Sequence, residues 1–133
     1  MNVRAMTGMR VLIVEDSVVL RDRFREMLEK ISGVERVDDA DNEADAMQSI
    51  SNMQPDVVIL DFSTANGNSQ NMIRWIRLQP LAIRVIVLTN SAYPQYRKKC
   101  MDLGVDYFMD KSRDIDVLGS LLIKLADEVN TDE

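Results

Sequence analysis

Val11-Leu12-Ile13-Val14 is an unbroken aliphatic run that ends on two acids, Glu15 and Asp16, and the same design recurs twice in the chain. Val57-Val58-Ile59-Leu60 runs into Asp61, and Val85-Ile86-Val87-Leu88 runs into Thr89. Continuous runs rich in β-branched residues, with no polar alternation, mark strands buried on both faces of a parallel sheet. Between them the apolar spacing changes to three and four. Leu20, Phe24, Leu28 and Ile31 predict a helix begun after Ser17 and closed by Gly33. Ala44, Met47 and Ile50 predict a second, with Asn42 as its N-cap, and Met72, Ile73 and Ile76 a third. Pro94 suits the first turn of a fourth helix carrying Tyr96, Cys100 and Leu103, which Gly104 ends. Leu118, Leu121, Leu122, Leu125 and Val129 form the clearest stripe, a fifth helix, and weaker strands fall at 34–40 and 107–109. Five strands alternating with five helices make a doubly wound α/β sheet.

The chain has 133 residues, with 22 acidic and 16 basic side chains, a net charge of −6 and no histidine. That is the size of one domain, with no room for a second catalytic or DNA-binding domain. We read residues 1–8 as a disordered leader, 9–130 as the domain and 131–133 as a short acidic tail. An acidic domain is poorly suited to clamp nucleic acid, which needs clustered positive charge. Without histidine the chain supplies no imidazole base, imidazole metal ligand or Ser-His-Asp triad. The single cysteine, Cys100, fits a buried small hydrophobe in a reducing cytoplasm. The apolar runs are far too short for a membrane span. The nine methionines read as core filler, and Trp75, off the stripe of the third helix, as a cover for its neighbours. Arg97-Lys98-Lys99 reads as a solvated helix face, with a docking patch beside Tyr93 and Tyr96 as the alternative.

Ligands of doubly wound sheets bind beyond the carboxyl ends of the strands. Those positions hold Glu15 and Asp16 after the first strand, Asp61 after the third, Thr89 after the fourth and Lys111 after the fifth. If those strands are neighbours, the side chains converge on one edge. Carboxylates ~4 Å apart repel by several kcal/mol at an effective dielectric near that of a protein surface. A hard divalent cation such as Mg²⁺ relieves that repulsion, and a lysine adds a further positive charge. A carboxylate nucleophile, a cation, a hydroxyl and a lysine together can accept a phosphoryl group, whose transfer needs charge neutralisation and positioning.

Val14-Glu15-Asp16-Ser17, Ile59-Leu60-Asp61, Val87-Leu88-Thr89-Asn90 and Phe108-Met109-Asp110-Lys111 together resemble the receiver domain of bacterial two-component response regulators. The resemblance runs over residues 9 to 130, and the Leu88-Thr89-Asn90 and 107–114 segments look like those of stand-alone receivers. It implies a flavodoxin-like five-stranded parallel sheet of order 2-1-3-4-5. It also implies that Asp61 takes a phosphoryl group from a sensor histidine kinase or phosphotransfer protein. Asp16, Asp61 and the Ser63 carbonyl would hold Mg²⁺, with Glu15 acting through water. Lys111 and Thr89 would contact the phosphoryl oxygens. Movement of Thr89 coupled to Phe108 would then alter a protein-docking surface on the fourth helix, fifth strand and fifth helix. The implied partners are the phosphodonor and a downstream protein, with no nucleic acid or membrane, and homodimerisation on phosphorylation left open. The implied chemistry is self-phosphoryl transfer and autodephosphorylation, not turnover of a separate substrate.

Ala65 and Ser69 stand where the family usually has proline and glycine, with Asn66-Gly67 as the expected turn, and Ser112 follows Lys111 in place of proline. Asn90 is larger than the usual neighbour of the threonine, and Phe108 lacks the hydroxyl of the frequent tyrosine, so its inward position is apolar. A phosphatase working through an aspartyl intermediate would need an acid two residues after Asp61, where Ser63 stands. A nucleotide- or flavin-binding module would need a phosphate loop where Glu15 and Asp16 repel phosphate. A degenerate receiver that binds partners without phosphorylation is the remaining alternative.

Overall fold

Aliphatic runs without polar alternation need cover on both sides, and two layers of helices supply it. The computed structural model describes residues 8–61, 69–90 and 93–131. Its elements alternate as β1 (Met9–Val14), α1 (Val18–Glu29), β2 (Val34–Ala40), α2 (Glu43–Met53), β3 (Val57–Asp61), α3 (Ser69–Leu78), β4 (Arg84–Thr89), α4 (Pro94–Asp102), β5 (Tyr107–Asp110) and α5 (Ile115–Thr131). All neighbouring strands pair in parallel, in the order β2-β1-β3-β4-β5. Most of the expected leader, the Asn66-Gly67 turn and Ser63 lie outside the described residues. The helix α5 runs to Thr131, one residue into the stretch read as a tail.

Successive residues of each strand feed opposite cores. Leu12, Val58, Leu60, Val85 and Val87 pack with Ala46, Ile50, Met72, Ile73, Ile76 and Cys100 of α2, α3 and α4. Val11, Ile13, Ile59, Ile86 and Leu88 pack with Phe24 and Leu28 of α1 and with Leu118, Leu122 and Leu125 of α5. Trp75 is half-buried against the first of these cores, in keeping with a covering role.

Local signals set the helix starts. Ser17 caps α1 by accepting from Leu20 N, and Asn42 caps α2 by accepting from Asp45 N at 2.8 Å. Pro94 opens α4. Gly33, at φ +95°, makes the turn into β2 and offers its carbonyl to Met9 N at 2.7 Å.

Three expectations need correction. Ala44 is exposed, and the buried face of α2 is Ala46, Ile50 and Met53, the i, i+4, i+7 stripe that meets the sheet. The helix α1 stops at Glu29, because Ile31 N turns to Leu28 O in the loop that leads to Gly33. Among the methionines, Met9, Met53, Met72 and Met109 are buried, but Met101 is 39% exposed on the outer side of α4.

The register brings the strand ends into line. Val14 pairs with Leu60, Asp61 with Leu88, and Thr89 with Asp110. The residues at the ends of β1, β3, β4 and β5 therefore share one edge of the sheet. Ile59, fully buried in the central strand β3, tests this packing. Ile59→Ala is expected to cost about 2–5 kcal/mol in urea unfolding. Ile123→Ala, at a position 53% exposed on α5, should change stability by no more than about 0.5 kcal/mol. A cost for Ile59→Ala no greater than for Ile123→Ala would contradict burial of β3 on both faces.

Candidate phosphoryl-acceptor site

The edge defined by those strand ends holds three charged groups in contact. Asp61, the last residue of β3, is 5% exposed, and Glu15, directly after β1, is 2% exposed. Lys111 follows β5, and its Nζ forms an ion pair with Asp61 Oδ2 and lies 3.3 Å from Glu15 Oε1. Asp61 Oδ1 has no hydrogen-bond partner among the described residues. Burial pushes the Asp61 carboxyl above its ordinary pKa, and the hydrogen bond and charge of Lys111 pull against that shift.

Contacts with the backbone fix Glu15 and Lys111. Glu15 N donates to Ala40 O at 3.0 Å. Its Oε2 accepts from Ser17 N at 2.9 Å, and its carbonyl accepts from Arg21 Nη1 at 2.8 Å. Lys111 N donates to the Thr89 carbonyl at 2.9 Å, which ties the lysine to the end of β4. Thr89 is fully buried. Phe108 is buried too, its ring meeting Tyr96 edge-on at 5.6 Å and lying 5.9 Å from the Arg97 guanidinium carbon.

The sequence singles out Glu15, Asp16, Asp61, Ser63, Thr89, Phe108 and Lys111. Of these, Glu15, Asp61 and Lys111 are brought into direct contact, and Thr89 joins them through its backbone. Asp16 is exposed, and Ser63 lies outside the described residues. Among the described residues no group of three acidic or cysteine side chains is gathered closely enough to hold a metal ion. The ammonium of Lys111 balances Glu15 and Asp61 instead. The donor set still fits a hard cation: it is made of oxygens, and the buried Asp61 Oδ1 has no donor among the described residues. Sequence reading alone gives no role to Arg21, which clamps the Glu15 carbonyl, or to the aspartates around Lys111. A lone arginine in a helical stripe carries no signal, whereas the Asp110-x-Ser112 spacing of a side-chain-capped turn does.

A buried carboxylate facing a lysine at the carboxyl edge of a 2-1-3-4-5 sheet can be compared with known proteins. The sequence profile of the response regulator receiver domain matches residues 11–122. The chain belongs to the response regulator receiver family. It is 30% identical over 108 residues to a protein-glutamate methylesterase/protein-glutamine glutaminase of Treponema denticola, covering 80% of this chain and 29% of that protein. It is 27% identical over 105 residues to the sensory transduction protein LytT of Bacillus cereus, covering 76% of this chain and 41% of that protein. This receiver chain thus spans less than half the length of either relative. Among solved structures, the signal receiver domain of a signal transduction histidine kinase from Syntrophus aciditrophicus is 29% identical with a TM-score of 0.77, covering 95% of this chain and 96% of that one. The signal receiver domain of a DNA-binding response regulator from Colwellia psychrerythraea shares the fold, with a TM-score of 0.81 at 23% identity, covering 90% of this chain and 98% of that one.

The Asp61 carboxyl gives the receiver a measurable pH signature. A carboxyl whose pKa is higher folded than unfolded binds more protons in the folded state, so it lowers stability as pH rises through that interval. Asp61→Asn keeps the volume, and Lys111 keeps Glu15 as a partner. In EDTA at pH 7 the variant is expected to gain about 1–3 kcal/mol over wild type. The gain should shrink as the pH falls from 7 and wild-type Asp61 takes up a proton. Thermal unfolding across that range checks both statements, and a variant less stable than wild type at pH 7 would contradict them.

Proposed function

We propose that this receiver accepts a phosphoryl group on Asp61 from a phosphohistidine of a sensor kinase or phosphotransfer protein, and that the modification switches a protein-docking surface. The observation that carries this reading is the buried Asp61 carboxylate, paired with Lys111 through one oxygen and without a hydrogen-bond partner on the other among the described residues. The carboxylate oxygen attacks phosphorus, the P–O bond forms, and the P–N bond to the donor imidazole breaks. The imidazole nitrogen leaves with the bonding pair and takes a proton from solvent. Lys111, already charged and 12% exposed at its side chain, transfers its attraction from the carboxylate to the new phosphoryl oxygens. The Thr89 hydroxyl, at the end of the adjacent strand, donates to the same group.

Asp16, Asp61 and the Ser63 carbonyl would hold Mg²⁺, with Glu15 acting through water. The bound ion would supply positive charge against the phosphoryl oxygens. Phosphorylation adds charge at the strand ends, and movement of Thr89 repacks Phe108. Phe108 lies under Tyr96 and Arg97 of α4, so the change reaches the face formed by α4, β5 and α5. That face carries exposed Tyr93 and the exposed Arg97-Lys98-Lys99 run, which suits a protein partner. We propose output by docking, as for a stand-alone receiver, with homodimerisation of the phosphorylated form as a variant of the same contact. No helix among the described residues is long and apolar enough to cross a membrane, and a cytoplasmic location fits the lone reduced, buried Cys100.

Acetyl phosphate with Mg²⁺ tests the reading through intact mass. Wild type is expected to gain one phosphoryl adduct and Asp61→Asn none. Lys111→Gln should form the adduct about 100-fold or more slowly. A wild type that takes up no adduct, from acetyl phosphate or from a phosphorylated kinase, would favour a receiver that binds partners without phosphorylation.

A further inference from the structure

The turn that carries Lys111 is built by two aspartates that bond to each other. Asp114 is the residue before α5, and its carbonyl accepts from Leu118 N at 2.9 Å, as an N-cap carbonyl does. An aspartate at such a position commonly spends its carboxylate on the N–H groups of its own helix. Here Asp114 Oδ2 turns back and accepts from Asp110 N at 2.8 Å, while Asp114 N donates to the Asp110 carbonyl at 2.8 Å. Asp110 gathers the rest of the turn on one oxygen. Its Oδ1 accepts from Ser112 N at 2.9 Å, Ser112 Oγ at 2.7 Å and Arg113 N at 3.3 Å.

Lys111 sits inside this ring of bonds, and its own N–H is spent on Thr89 O. Its side chain leaves the end of β5 and meets Asp61 two strands away in the sheet order. At the usual strand spacing that is about 10 Å across the edge. A lysine stem is flexible and loses much rotamer freedom when held extended. Its aim over that span therefore depends on a rigid backbone at its root.

We propose that Asp114 and Asp110 are positioning residues for Lys111: their reciprocal bonds fix the chain on both sides of the lysine so that its ammonium is delivered to Asp61. Their consequence for phosphoryl binding rests on the function proposed above. Their consequence for the Lys111–Asp61 pair does not.

The test uses the full 133-residue chain with Asp114→Ala, Asp114→Asn and Asp114→Ser. Asn keeps an oxygen that can accept from Asp110 N. Ser has a shorter reach and can supply α5 with a side-chain cap of its own, which supports the helix should the alanine variant fold poorly. The first readout is the ¹H–¹⁵N signal of the Lys111 ammonium, which a lysine held in an ion pair shows and a mobile one loses to exchange. It is assigned by its disappearance in Lys111→Gln. The signal is expected in wild type and Asp114→Asn, and is expected to vanish in Asp114→Ala and Asp114→Ser. The second readout is beryllofluoride affinity with Mg²⁺. Asp114→Ala should weaken it about tenfold, while Asp114→Asn stays near wild type. In the Lys111→Gln background, Asp114→Ala should add nothing.

A lower melting temperature in Asp114→Ala and Asp114→Ser, with the ammonium signal and the beryllofluoride affinity both intact, would overturn the positioning role and leave a structural one. Additive losses in the Lys111→Gln background would overturn it as well. A wild type that binds no beryllofluoride would sink the phosphoacceptor reading instead, and the ammonium signal would then decide the positioning role by itself.

Discussion

A lysine ammonium held against two buried carboxylates is the constraint on which the sheet edge depends. Removing Glu15 and Asp61 from water is costly, and a nearby charge of opposite sign offsets part of that cost. Lys111 supplies that charge from the far side of the edge. Its pairing is incomplete, because one cation faces two anions and Asp61 Oδ1 accepts no hydrogen bond among the described residues. On the proposed reading, the excess negative charge suits a cationic ligand, and the Asp61 carboxylate is the nucleophile toward a phosphoryl group. The rest of the fold makes this arrangement affordable. Strands β1, β3 and β4 are anchored in two aliphatic cores, so their ends cannot retreat from one another without opening both.

On the proposed reading, the same edge is also the start of a mechanical path. Thr89 bonds through its carbonyl to Lys111 N, and Phe108 lies three residues before that lysine. Phe108 faces the core shared with α4, where Tyr96 meets it edge-on and the Arg97 guanidinium lies over its ring while donating to its carbonyl at 3.3 Å. A charge added at Asp61 thus has packed, contiguous neighbours to act on before it reaches solvent. The first turn of α4 is suited to respond, since its N-cap Tyr93 makes no side-chain capping bond. By contrast, the opposite end of this half of the fold is pinned. Arg77 ties α3 to the carbonyls of Ile83 and Gly104 and to Asp106, which itself accepts from Val85 N.

Much of this is legible in the amino-acid sequence. Three aliphatic runs, each stopped by a polar residue of distinct chemistry, are enough to name the sheet and to place Glu15, Asp61 and Thr89 at its edge. The caps Ser17, Asn42 and Pro94 could be read because capping is local chemistry. The local pattern misleads where tertiary contact overrides it. Ala44 and Ala46 look equivalent in sequence, and only the angle at which α2 meets the sheet decides that Ala46 is buried. Lys111 could be placed at the edge of the acids from its position after the fifth strand, but which carboxylate oxygens it meets is set by contact between residues 96 positions apart. Arg21 and Asp114 are illegible for a related reason: their partners are a backbone carbonyl and a backbone N–H, groups that residue identity does not mark.

On the proposed reading, a charge event at Asp61 is felt at Phe108 and α4. The most direct measurement is a ¹H–¹⁵N correlation spectrum of the whole chain titrated with beryllofluoride in the presence of Mg²⁺. Saturable shifts are predicted at Glu15, Asp61, Thr89 and Lys111, continuing through Phe108 to Tyr96 and Arg97, and all absent in Asp61→Asn. Shifts that stop at the strand ends, or that persist without Asp61, would contradict it.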